Sequence, residues 1–345
     1  MKSLSFRIFC IVLIPGFILS SCLKESDPVP QKLLKVGLVS GLGGFSDAGF
    51  NQNILLGFQN AADDFPMMFQ ARECMTAGDF TVNINYFLAN KFDLINTTGY
   101  NAAQATISAA NSNPNTAFAI LDYSAATIPA NLVCAVFDVD QSSFPCGFLA
   151  AWWSYNKNMI DPVAGFVAGP DIPGIRQFSV SYIHGVAYFN SLYNKNVQTL
   201  GYFANSFTDT LQGARLADSL LKQNVSTVFA FAGQTGNGAL YKVKDAGKWA
   251  IGVDVDQYFS IPQVGPALLT SCMKELSNMI YGIIKTFYYQ DFPGGTTIHG
   301  NLSNLGVGMA PYHNYKNQIP DSVRAAINTI EVGIKNGTIR TGWPE

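Results

Sequence analysis

From residue 35 onward, short runs of β-branched and aromatic residues alternate with longer stretches in which apolar positions recur every three or four residues. The first pattern suits buried strands and the second suits amphipathic helices lying over them. The chain therefore predicts an α/β fold built from βαβ units with parallel sheets. Strands are expected at 35–40, 92–97, 117–122, 133–138, 162–167, 197–202, 227–232, 249–253 and 268–272. Helices are expected at 52–64, 102–111, 143–155, 175–192, 210–223, 236–246 and 275–289. The series breaks around 157–161, near 260–269 where Pro262, Gly265 and Pro266 interrupt it, and near 294–304. Those breaks predict one lobe over 35–157 with a returning segment at about 266–300, and a second over 158–265 with a C-terminal segment at about 301–345. Several strands joining two lobes make a hinge, and a hinge over a cleft suits closure on a small ligand.

A chain of 345 residues is long enough for two such lobes, and 48% hydrophobic against 13% charged residues excludes a disordered protein. The formal charge of -2, with no basic block, argues against nucleic acid as a partner. At the N-terminus, Lys2 and Arg7 precede an apolar run at 8–19 and then Leu19, Ser20, Ser21 and Cys22. This resembles a bacterial lipoprotein signal with its lipobox. The resemblance implies a signal peptide over 1–21, cleavage before Cys22, and a diacylglyceryl thioether on the Cys22 sulfur. The polar, proline-bearing stretch within 22–34 then reads as a tether to a membrane facing the periplasm or cell exterior.

Cys74, Cys134, Cys146 and Cys272 remain in the folded part, and four cysteines allow three pairings between which the sequence does not choose. No CxxC occurs, and His184, His299 and His313 lie near neither a GxSxG nor an acidic cluster. Neither a metal nor another cofactor is expected, and histidine-based catalysis has no support.

Candidate ligand contacts sit where predicted strands end, the usual binding edge of an open α/β sheet. The stretch GGFSDAGFN at 43–51 reads as the turn from the first strand into the first helix, projecting Asp47, Phe50 and Asn51. Equally, Asp47 could serve as a helix cap and Phe50 as packing. Asp122 closes AILDY as a carboxylate at the sheet lip, free to accept charge-assisted hydrogen bonds or to act as a turn former. FAFAGQTGNG at 229–238 offers Phe229 for ring stacking and Gly233 for close backbone approach, although its spacing matches neither a dinucleotide fingerprint nor a P-loop. In GVDVDQ, Asp254 and Asp256 fall on one side of an extended segment. They suit the hydroxyls of a sugar, a cation, or acid and base roles. Lys274 follows the strand at 268–272 and could donate to ligand oxygens or pair with an aspartate.

Taken in order, GGFSDAGFN, GFVAGPDIPGIRQF at 165–178, SFTD at 206–209, FAFAGQTGNG, AIGVDVDQ and TSCMK resemble the basic membrane protein family of substrate-binding lipoproteins, which includes purine nucleoside receptors. The resemblance spans about 35–309. It implies a type I periplasmic-binding-protein fold with two Rossmann-like lobes, a monomer that closes on a nucleoside-like ligand and delivers it to an ABC transporter permease. By the same resemblance Phe50 and Phe229 stack on the ring, Asn51 and Asp122 face the base, and Asp254 with Lys274 holds the ribose; Asp47 and Asp256 share those motifs. The chain departs from the family pattern at Gly41, where an aspartate is common, and at Gln234, where a second glycine is common. Purine, pyrimidine and other ligands stay open. Two alternatives stand beside the receptor: a nucleoside-processing enzyme using Asp254 and Asp256, and a surface lipoprotein that binds macromolecules.

Overall fold

In the computed structural model, which describes residues 33–344, every apolar run flagged in the sequence forms a strand. The elements in the first part are β1 (Leu34–Leu42), α1 (Phe50–Asp64), β2 (Met67–Cys74), α2 (Gly78–Ala89), β3 (Leu94–Thr98), α3 (Ala103–Ser112), β4 (Ala117–Leu121), β5 (Leu132–Phe137) and α4 (Asp140–Lys157). There follow β6 (Val163–Ala168), α5 (Pro173–Tyr193), β7 (Gln198–Phe203), α6 (Thr210–Leu221), β8 (Val225–Phe231), α7 (Gly233–Asp245), β9 (Trp249–Asp254), the single turn α8 (Gln257–Ser260) and β10 (Leu268–Lys274). Last come α9 (Leu276–Tyr288), β11 (Thr296–Gly300), β12 (Val307–Met309) and α10 (Asp321–Lys335).

Two six-stranded sheets result, ordered β11-β5-β4-β3-β1-β2 and β12-β10-β9-β8-β6-β7. All neighbours in the first are parallel, and in the second only β12 runs antiparallel. Parallel strands need crossover helices, which cover both faces of a sheet. Central strands therefore bury every side chain, as β3, β6 and β8 do.

The passages between sheets differ from two of the expected breaks. The first falls at residues 138–139, ahead of 157–161, because α4 belongs with the second sheet: Ser154 Oγ donates to Thr227 Oγ1 of β8 at 3.2 Å, and Ser143 Oγ to the Phe178 carbonyl of α5 at 2.7 Å. Gly147 and Gly185 let α4 and α5 approach so closely that a Cβ on either would collide with the other helix's backbone. The second passage follows Lys274, beyond the break near 260–269, since β10 pairs with both β9 and β12. The third, between β11 and β12, lies at 301–306. All four cysteines of the described part are buried, with free thiols. The expected signal, Cys22 and most of the tether lie outside the described residues. Among the described residues no helix is long and apolar enough to cross a membrane.

Candidate functional site

The carboxyl ends of both sheets open on one cleft of about 850 Å3, within the size range of small-molecule sites. Its walls include residues at or just beyond the ends of β1, β3, β4 and β5 from the first sheet and of β8, β9 and β10 from the second.

The turn after β1 is built around Asp47. Its Oδ2 accepts from the Asn51 backbone at 2.8 Å and from Asn51 Nδ2 at 3.1 Å, while Oδ1 accepts from the Gly49 and Gln52 backbones, each at 3.1 Å. Asp47 thus satisfies three of the N–H groups at the opening of α1, the capping role open to it from the sequence. Gly43 and Gly44 take φ values of 98° and 69°, conformations that residues with a Cβ rarely adopt. Asn51 Oδ1 accepts from the Gly41 N–H at 2.7 Å and from Thr98 Oγ1 at 3.2 Å. Asp47, Phe50 and Asn51 all border the cleft.

Opposite them stands a charged group drawn from both sheets. Lys274, at the end of β10 and only 5% exposed, donates from Nζ to Asp122 Oδ2 at 2.9 Å and lies 3.3 Å from Asp254 Oδ1. Asp122 and Asp254 each take a positive φ, 62° and 65°, at the point where β4 and β9 end. Aspartate tolerates that left-handed conformation better than most residues, and the bend turns the chain away from the sheet where the carboxylate enters the cleft. Asp254 is buried, which pushes its carboxyl above the usual range; the Lys274 ammonium acts in the opposite direction. Its Oδ1 has no hydrogen-bond donor despite the nearby cation. For Lys274, the two carboxylates outweigh burial and hold the ammonium well above its ordinary value. The same Nζ sits 5.4 Å from the Phe50 ring centre and 5.1 Å from that of Phe178.

Two expected contacts lie elsewhere. Phe229 is fully buried inside the second lobe, 4.6 Å from Phe231 between ring centres. Phe231, two residues further along β8, is buried as well but borders the cleft, because a strand advances about 7 Å in two residues. It stacks on Phe178 at 5.3 Å with planes 21° apart. Asp256 points away from Asp254's site: Oδ1 caps α8 through the Tyr258 N–H at 3.3 Å and Oδ2 meets His313 Nε2 at 2.7 Å. The backbone turns between the two aspartates, so the alternation of an extended strand does not carry through. Gly233, with φ of 55°, does border the cleft at the start of α7.

The cleft also holds residues not singled out in the sequence. Asp138 Oδ1 lies 2.9 Å from His299 Nδ1, and Asp140 accepts from Gln177 Nε2 at 2.7 Å and Thr341 Oγ1 at 2.6 Å. Burial raises the Asp140 carboxyl despite those two donors. Asp138 ends a predicted strand as Asp122 does, a signal available in the sequence. On the rim, the second lobe clasps the turn after β1: Gln234 Nε2 donates to the Gly43 carbonyl at 3.2 Å, Asn237 Nδ2 to that of Asp47 at 2.9 Å, and Ser260 Oγ to that of Ala48 at 2.7 Å. Among the described residues, no cluster of three or more His, Cys, Asp or Glu side chains could hold a metal ion.

The family model for ABC transporter substrate-binding proteins of the PnrA-like type, Bmp, matches residues 35–339. The chain belongs to this family. Among relatives of this Bmp chain, the ABC transporter nucleoside-binding protein BmpA of Lactococcus lactis is 27% identical over 311 residues, covering 85% of this chain and 86% of that protein. The CD4+ T-cell-stimulating antigen of Listeria monocytogenes is 27% identical over 371 aligned positions, with 99% of each covered. A solute-binding protein of an ABC transporter system from Aeropyrum pernix K1 superposes with a TM-score of 0.82 at 22% identity, covering 89% of this chain and 92% of that one, which establishes the shared periplasmic-binding-protein fold. As a Bmp-family member the chain is a solute-binding receptor of an ABC transport system.

Proposed function

We propose that the receptor captures a nucleoside or nucleoside-like ligand between its lobes and hands it to a transporter permease by equilibrium binding, without turnover. One observation carries this: an ionic group drawn from both sheets, Asp122, Lys274 and Asp254, shares a single cleft with the half-buried ring of Phe50, backed by the buried pair Phe178 and Phe231. A flat ring needs an aromatic face such as that of Phe50, and a sugar needs acceptors such as the Asp122 and Asp254 carboxylates, which line the same cleft. The Lactococcus relative, whose name specifies nucleoside binding, supports the same ligand class. An acid and base pair formed by Asp254 and Asp256 finds no support, since Asp256 is engaged with His313 and Tyr258 outside the cleft.

Lipid attachment at Cys22 anchors the receptor to a membrane on its outer side, in keeping with lipoprotein relatives from Pyrococcus furiosus and Pyrococcus horikoshii. Ligand that binds only the native state raises the melting temperature, so thermal-shift screening against nucleosides tests the assignment. A nucleoside should raise Tm in a concentration-dependent way and be recovered unchanged after long incubation. Released base or sugar would reject the receptor in favour of an enzyme.

A further inference from the structure

The family match ends at residue 339, yet the chain that follows returns to the cleft, where Trp343 and Pro344 form part of the wall. This short strap is built in. Thr341 is 6% exposed and donates from Oγ1 to Asp140 Oδ2 at 2.6 Å, while Gln177 holds the other oxygen of that carboxylate at 2.7 Å. Gly342 takes φ of 87° against the His184 ring, where a Cβ would collide. The strap is therefore fixed by a buried charge-assisted hydrogen bond two residues before Trp343, and past the bend at Gly342 Trp343 borders the cleft. The other tryptophans, Trp152, Trp153 and Trp249, pack on one another at ring-centre distances of 5.8 and 5.6 Å and do not border the cleft.

From this arrangement we propose that Trp343 contacts the bound ligand directly, and that the 340–344 strap determines which ring systems the cleft accepts. An indole supplies a large, stiff apolar face at a small cost in side-chain entropy, so it suits a flat heteroaromatic ring. Asp140 acts through Thr341 and Gln177 as a positioning residue. The inference rests on the ligand class proposed above, and the test separates the two.

Using the detergent-solubilised full chain, Kd and tryptophan emission would be measured against a panel of nucleosides, free nucleobases and flavins. Wild type should change emission on binding. Trp343→Phe should abolish most of that change while keeping Kd within about threefold, whereas Trp343→Ala should weaken binding roughly 5- to 100-fold. Thr341→Val, which removes the anchor and leaves the indole, should weaken binding in the same direction with less loss. An unchanged Kd in Trp343→Ala and an unchanged emission response in Trp343→Phe overturn the strap as a ligand contact and leave the nucleoside assignment standing. Failure of every nucleoside, with a flavin bound and weakened by Trp343→Ala, overturns the nucleoside assignment and upholds the strap. No binding by any member of the panel overturns both.

Discussion

Asp122 and Lys274, 152 positions apart and carried by different sheets, meet at 2.9 Å. The bond joins the lobes and lines the cleft between the sheets at once. Asp122 is still 33% exposed where Lys274 is 5% exposed, so the cation sits deep and the carboxylate lies toward the open side. Asp254, in the same lobe as Lys274, is the second carboxylate on that buried ammonium.

Lys274→Met should therefore cost both affinity and stability. Removing the cation leaves Asp254 buried without a counter-charge, a loss on the order of 3–5 kcal/mol for a broken buried pair. The pH dependence has a defined sign. Asp254's carboxyl is already raised by burial, and losing Lys274 raises it further, so protonation relieves more of the penalty in the variant than in wild type. The stability gap should be widest at neutral pH and narrow as pH falls toward the ordinary carboxylate value of 3.8. In wild type, the contribution of Lys274 is fully present below its ordinary value of 10.5 and is lost as pH rises through its raised folded value. Urea unfolding across pH 4 to 8 (roughly the native range of such proteins) checks the first window. A gap independent of pH would mean that Asp254 does not feel Lys274.

The two phenylalanines of β8 should separate packing from recognition. Phe229→Leu and Phe231→Leu remove similar volume from the same aromatic cluster, so both should lower Tm, by about 1–3 kcal/mol in stability. Only Phe231→Leu should raise Kd, because Phe231 alone of the pair borders the cleft. Isothermal calorimetry on both variants decides it; equal loss of affinity would place the binding wall deeper than the structure has it.

Strand existence was legible in the sequence because central parallel strands are rich in apolar and β-branched residues, as 163–168 and 225–231 are. Of the four edge strands only β7 was; the other three were not. β2 mixes Gln70, Arg72 and Glu73 into a half-exposed segment, and β11 and β12 are short and flanked by glycine. The helix α10 carried a readable signal in Val323, Ile327, Ile330 and Ile334, spaced for one face. The lining of the cleft was legible at charged residues that close a strand, as at Asp122 and Lys274. It failed at Phe229 and Asp256, where period-two alternation names a side of the strand without saying how far along it the cleft begins or where the strand bends. Lobe boundaries failed at α4 because a helix that follows one sheet can pack on the next, and a linear pattern contains no record of the face it covers.

The clasp on the turn after β1 should control closure. Asn237 and Ser260 donate to the carbonyls of Asp47 and Ala48 across the lobes, and each such bond contributes about 1 kcal/mol. The double variant Asn237→Ala, Ser260→Ala should shift the unliganded receptor toward an open form and weaken ligand binding roughly 5- to 30-fold, since the competent closed state becomes less populated. Small-angle scattering should show a larger radius of gyration without ligand and recovery of the wild-type value at saturation. Identical scattering profiles would show that closure is governed elsewhere.

Gly41 is one of the two positions at which this chain departs from the pattern of the family it resembles, and its surroundings leave little room for a side chain. A Cβ would lie 3.0 Å from Asn51 Oδ1 and 3.3 Å from Thr98 Oγ1, two buried atoms bonded to each other and, through Asn51, to the Gly41 N–H and Asp47. Gly41→Ala should cost about 1–3 kcal/mol by overpacking. Gly41→Asp should cost more, because a carboxylate would be pressed against the Asn51 carbonyl oxygen, acceptor against acceptor, with the Asp47 carboxylate on the far side of the same asparagine. Both variants should also weaken ligand binding by displacing the turn that carries Phe50. Denaturant midpoints and Kd for the pair test this. If Gly41→Asp matched wild type in stability and gained affinity for purine nucleosides over pyrimidine ones, the glycine would be a specificity choice for the ligand and not a packing requirement of the turn.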